Sequence, residues 1–131
     1  MTRLHFQPIK GKSLDIIDAI LQTDEVASLG DAWGIISMVT DDLVANFVNY
    51  SGSAYLDVEI LRDENSITMR FRDGGMPFNP LEQDPPDTSL PMEAREIGGL
   101  GIYLVTTSMD DVAYEHTNGE NILTVTKKLT N

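Results

Sequence analysis

Apolar and polar positions change their period several times along the chain. Leu4, Phe6 and Pro8 alternate with polar neighbours and predict a short opening strand that ends at a Gly11 turn. Ile16, Ile17, Ile20 and Leu21 then recur at helical spacing from Leu14, with Ser13 as the expected cap. After a break near Leu29 and Gly30, Asp31 is the expected cap of a long helix to about Tyr50. Its apolar positions are Trp33, Ile36, Met38, Val39, Leu43, Phe47 and Val48, and Ser51-Gly52-Ser53 stops it. Residues 55–62 and 66–72 alternate with period two and place Leu56, Val58, Ile60, Ile67, Met69 and Phe71 on one buried face. The join Asp63-Glu64-Asn65 predicts a hairpin with Asn65 at positive φ.

Residues 74–98 break every period and hold Pro77, Pro80, Pro85, Pro86 and Pro91. A loop of that length within a compact domain is usually functional or disordered. A helix over about 100–109 follows, then strands 112–116 and 121–129 around an Asn118-Gly119 turn. The order β-α-α-β-β-loop-α-β-β predicts an α+β fold, a two-layer sandwich with helices on one face of a mainly antiparallel sheet.

Composition narrows the function classes. At 131 residues and 41% apolar content, residues 1–131 form one expected domain with a core of its own. The absence of cysteine removes disulfides, thiolate metal sites and cysteine catalysis. MTRLHFQPIKGK lacks the apolar centre of a signal peptide, and no apolar run approaches the ~20 residues of a membrane span, so a cytoplasmic location is expected. The formal net charge of −12 argues against direct nucleic-acid binding and against an acidic membrane surface. No Lys or Arg lies between Lys12 and Arg62, a stretch rich in Asp and Glu. That acidity reads either as a solvated face or as a docking surface for a basic partner.

Three polar clusters interrupt the regular elements. Asp42, Asn46 and Asn49 share one face of the long helix, as a plain polar stripe or as oxygen donors converging on a hard cation with a carboxylate placed to take a proton. Arg72-Asp73-Gly74-Gly75-Met76-Pro77-Phe78 closes a strand. It is an ordinary Asp-Gly turn, or a place where Asp73 accepts from an exocyclic amine while glycine admits a ligand closely. Gly98-Gly99-Leu100-Gly101 opens a helix, either ending a loop or presenting free N–H groups to an anion.

These clusters, in this order and separated by two strands and a long loop, resemble the Bergerat-fold (GHKL) ATPases, and most of all the stand-alone anti-sigma regulatory serine kinases. The stretches that carry the likeness are VTDDLVANFVNYSG, MRFRDGGMPFNPL and IGGLGIYLVTTSMDDVAYEHTNGENILTVTKKL, over roughly residues 30–129. The resemblance implies a histidine-kinase-like ATPase domain that binds ATP and Mg²⁺. Asn46 would ligate Mg²⁺, and Asp42 would take the place of the family's usual Glu as general base. Asp73 would bind the adenine amino group, with Gly75 allowing close approach and Phe78 and Asn49 counted in the nucleotide site. Gly98, Gly99, Leu100 and Gly101 would frame the phosphates, Asn121 would act near the adenine through water, and residues 74–98 would be the ATP lid. Arg95 is the candidate for γ-phosphate charge stabilisation.

The sequence departs from the family at two places. Asp42 is one methylene shorter than Glu, and Asn49 and Tyr50 stand where relatives often carry a basic residue or His. The resemblance implies a serine/threonine protein kinase that phosphorylates a small anti-anti-sigma antagonist, sequesters a sigma factor or similar regulator, and pairs as a homodimer. The alternatives are a nucleotide-dependent binding module with weak or no catalysis, and a nucleotide-free adaptor. His5 and His116 read as structural, no dimerisation helix points to phosphorylation on His, and Ser51 and Ser108 have no partner for a hydrolase triad. Met38, Met69, Met92 and Met109 read as core or lid packing.

Overall fold

The computed structural model describes residues 1–77 and 105–129. Its elements are β1 (Thr2–Phe6), α1 (Ser13–Leu21), α2 (Asp24–Ala27), a 3₁₀ turn (Gly30–Ala32), α3 (Trp33–Tyr50), β2 (Leu56–Arg62), β3 (Ser66–Asp73), β4 (Asp111–Thr117) and β5 (Glu120–Lys128). Residues 105–108 are helical, so the end of the helix expected over 100–109 is present. The five strands form one sheet in the order β1-β2-β3-β5-β4, and every neighbouring pair is antiparallel.

Alternation decides which face of the sheet is covered. Leu56, Val58 and Ile60 of β2, Ile67, Met69 and Phe71 of β3, and Leu123 and Val125 of β5 share one buried face. Ile16, Ile17 and Ile20 of α1 and Ile36, Val39, Leu43 and Val44 of α3 pack into the same core. The helices therefore form the second layer of an α+β sandwich. The α3 stripe at 36, 39, 40, 43 and 44 has the i, i+3, i+4, i+7, i+8 spacing that buries one side of a helix.

Several boundaries differ from expectation. Pro8 lies outside β1, having no N–H for a ladder. Ser13 is the first residue of α1, and Lys12 occupies the cap position without a side-chain bond. Asp31 sits in the 3₁₀ turn, so α3 starts at Trp33 behind an Ala32 cap, and α2 was not expected. Packing of the apolar stripe, rather than capping, holds these helices. The β2–β3 hairpin closes without a positive φ at Asn65: the Asp63 carboxylate accepts the N–H groups of Asn65 (2.7 Å) and Ser66 (2.8 Å). The β4–β5 turn has the expected geometry, with Asn118 at φ 53° and Gly119 at φ 78°.

Candidate functional site

Helix α3 runs over strand β3, and three contacts set their relative position. The Thr40 hydroxyl meets Met69 Sδ at 3.9 Å, the Phe47 and Phe71 rings meet at 5.4 Å between centroids, and the Ser51 carbonyl lies against Gly75. The last turns of α3 thus sit beside the end of β3, where the strand's apolar face gives way to a carboxylate.

Asp73 continues the core-facing series Ile67, Met69, Phe71, which is why a charged side chain is only 2% exposed. Because β5 inserts beside β3, Asp73 faces Asn121 across the ladder although 48 residues separate them. Asp73 Oδ1 accepts the Gly75 N–H at 2.8 Å and the Asn121 amide at 3.2 Å. The same amide nitrogen lies 2.9 Å from the Met76 carbonyl and 3.3 Å from that of Gly75, so its two hydrogens serve three acceptors. The Asn121 carbonyl in turn accepts the Tyr114 hydroxyl. Burial pushes the Asp73 carboxyl up from the ordinary range, with the Gly75 N–H and Asn121 bonds opposing that shift.

The turn after Asp73 is closely backed. A Cβ on Gly75 would stand 2.0 Å from the Ser51 carbonyl oxygen, and one on Gly74 would stand 2.8 Å from Tyr55 Cε1. The Gly74 N–H donates to Ser53 Oγ at 2.9 Å. Only glycine fits position 75, because its neighbour there is backbone.

Asp42 and Asn46 lie one turn apart on α3, both half-buried, and Asn49 is exposed one turn further on. Asp42 Oδ2 is buried and has no hydrogen-bond partner among the described residues. Desolvation, with the Asp41 charge second, raises the Asp42 carboxyl above the ordinary range. A carboxylate with an orphaned oxygen and a carboxamide one helical turn away are residue types suited to taking a proton and to holding a hard cation.

A family model described as a histidine kinase-like ATPase domain matches residues 16–127. The chain belongs to that family. Two curated proteins named serine-protein kinase RsbW, from Bacillus thuringiensis (strain Al Hakam) and Bacillus cereus (strain 03BB102), are each 38% identical to it over 64 residues. That stretch is 46% of this chain and 40% of each relative, so the chain spans about two-fifths of the length of the relatives it matches.

Within this histidine kinase-like ATPase domain, the described residues bring Asp73, Gly75 and Asn121 into direct contact. They place Asp42 and Asn46 on the helix that packs against the same strand. Phe78, Arg95, Gly98, Gly99, Leu100 and Gly101, Met92 and most of the expected lid lie outside the described residues. Asn121 donates directly to Asp73, the carboxylate expected to meet the adenine. His5 lies on the uncovered side of the sheet, paired with Asp57 and stacked on Tyr55. Ser53, Tyr55 and Glu120 carry no signal in the sequence that marks them as site residues, and Ser51 is weighed there only as a nucleophile without a triad partner. Ser51-Gly52-Ser53 reads as a helix stop, and nothing in its spacing announces contact with residues 74 and 75. No described helix is long and apolar enough to cross a membrane.

Proposed function

We propose that this chain is a Mg-ATP-dependent regulatory serine/threonine protein kinase of the anti-sigma type, which phosphorylates a small antagonist protein and sequesters a sigma factor or similar regulator. The observation that carries the nucleotide part is the Asp73 carboxyl, buried at the end of β3 with Oδ1 held by Gly75 and Asn121. Oδ1 is thereby oriented, and Oδ2 is the acceptor for the adenine amino group. Gly75 keeps the turn low enough for the base to lie against it.

Asn46 is the Mg²⁺ ligand in this reading. Its carboxamide oxygen would hold the ion, which would supply charge neutralisation for the transferring phosphate. Among the described residues no three His, Asp or Glu side chains gather into a metal cage. Mg²⁺ commonly keeps several waters and leans on substrate phosphates, so the Asn46 carboxamide oxygen would need to supply only one position. Asp42 accepts the proton of the attacking hydroxyl: its buried, unpartnered Oδ2 and raised carboxyl both favour proton capture. Arg95 and the glycines from Gly98 to Gly101, outside the described residues, are the candidates for phosphate binding in this reading. The family membership and the serine-protein kinase names of the partial-length relatives support this reading.

The second reading, a nucleotide-dependent binding module with weak or no kinase activity, is favoured by Asp at position 42. Its shorter side chain sets the carboxylate back by about an ångström from a Glu position, and an error of that size can lower a rate ~100-fold. Incubation with Mg-ATP and a candidate antagonist domain separates the two. Phosphate on a Ser of the antagonist supports the kinase, whereas intact ATP binding without transfer leaves the binding module.

A further inference from the structure

The turn that presents Asp73 is backed by the loop between α3 and β2, and one hydroxyl of that loop bonds to it directly. Ser53 Oγ accepts the Gly74 N–H at 2.9 Å and the Tyr55 N–H at 3.2 Å, and donates to the Tyr55 carbonyl at 2.8 Å. That uses the single donor and both acceptor positions of a serine hydroxyl. Ser53 is itself held, its N–H donating to Ser51 Oγ at 3.1 Å, while the Ser51 carbonyl backs Gly75. On the outer side the Tyr55 ring lies under Gly74, and its hydroxyl donates to Glu120 Oε2 at 2.5 Å. Glu120 precedes Asn121, so the clamp closes around both sides of Asp73. The Glu120 bond pushes the Tyr55 phenol up to about 12, which keeps it a donor across the working pH range.

We propose that Ser53 and Tyr55 are positioning residues for base recognition, holding the Asp73-Gly74-Gly75 turn so that Asp73 selects adenine over guanine. This deepens the ATP reading above and rests on it. Adenine offers an amine donor where guanine offers a carbonyl acceptor, so a fixed carboxylate accepts the first and repels the second. Selection depends on the turn staying closed, because the Gly75 N–H is occupied by Asp73 Oδ1 only in this geometry. A slackened turn frees that N–H, a donor that a guanine carbonyl can accept. Loss of Ser53 therefore costs selectivity, not merely affinity.

The test measures Mg-ATP and Mg-GTP affinities by calorimetry for the full chain, Ser53→Ala and Ser53→Thr. The wild type prefers ATP, Ser53→Ala loses at least about tenfold in the ATP/GTP affinity ratio, and Ser53→Thr, which keeps the hydroxyl, restores it. Should Ser53→Ala fail to fold, Tyr55→Leu removes the ring under Gly74 and carries the same expectation. Equal weakening for both nucleotides, or an unchanged ratio, overturns the positioning role while leaving the ATP reading intact. A wild type that binds neither nucleotide overturns that reading itself, and this inference with it.

Discussion

Replacing Gly75 by alanine tests the site where the geometry is least forgiving. The added Cβ would stand 2.0 Å from the Ser51 carbonyl oxygen, whereas such contacts are essentially never found under 3.0 Å. Something must move by about 1 Å, and the obstacle is backbone at the end of α3, not the tip of a side chain. Overpacking of this kind typically costs about 1–3 kcal/mol. With an unfolding entropy of roughly 2.1 cal/mol/K per residue over 131 residues, each kcal/mol shifts Tm by roughly 4 °C. The expected drop is therefore about 4–11 °C. The shift also pulls the Gly75 N–H away from Asp73 Oδ1, so Mg-ATP affinity falls at least about tenfold. Two controls separate the causes. Gly74→Ala meets the Tyr55 ring, at 2.8 Å, a side chain rather than backbone, so its Tm falls less even though the ring must shift against its bond to Glu120. Gly119→Ala has open space but φ +78°, costs about 1 kcal/mol of backbone strain and leaves nucleotide binding alone. Calorimetric melting and ATP titration of the three variants decide the matter. A Gly75→Ala protein with wild-type Tm and wild-type ATP affinity would refute the reasoning.

Further expectations follow from the same contacts. Asp42→Asn removes a desolvated negative charge while keeping the side-chain shape, so it abolishes phosphate transfer yet raises Tm at neutral pH. Because burial raises the folded Asp42 carboxyl, the wild type loses stability as pH climbs from the unfolded value, about 3.9, through the folded one. The gain in Asp42→Asn is accordingly small below about pH 4 and reaches a plateau near neutrality, as melting curves across that range will show. Asn121→Ala withdraws the amide shared by Asp73, Gly75 and Met76 and weakens Mg-ATP binding at least about tenfold, whereas unchanged binding would remove Asn121 from the site. Mg-ATP at a hundred times its Kd adds about 2.7 kcal/mol, a rise of roughly 10 °C in Tm, and an unmoved melting curve would favour the nucleotide-free adaptor.

The acidic balance has a narrower meaning once the site is in view. A net charge of −12 excludes broad basic surfaces for polyanions, but a single nucleotide needs only a metal ion, backbone N–H groups and an arginine. The segment without Lys or Arg includes α3, where Asp42 and Asn46 sit. Some of the acidity thus belongs to the proposed metal and proton chemistry, and the rest is solvated surface or docking face.

Period and turn chemistry were enough to read the strands, the long helix and the buried face from the sequence, because each depends on neighbours within a few residues. Leu56, Val58, Ile60, Ile67, Met69 and Phe71 are all fully buried, and Asn118-Gly119 turns as its residue types require. Cap positions were less legible: Ser13 and Asp31 have the right chemistry, but packing of Ile16, Ile20, Ile36 and Leu43 decides where the helices start. Asp73 and Asn46 stood out as polar residues in apolar patterns. Their contacts did not, because strand order is a property of the whole chain. Only the insertion of β5 beside β3 brings Asn121 to Asp73, and only the path of α3 across β3 sets the Ser51 carbonyl against Gly75 and the Ser53 hydroxyl under Gly74. The residue types were present in the sequence, but the distances between them arise from long-range pairing that no local pattern encodes.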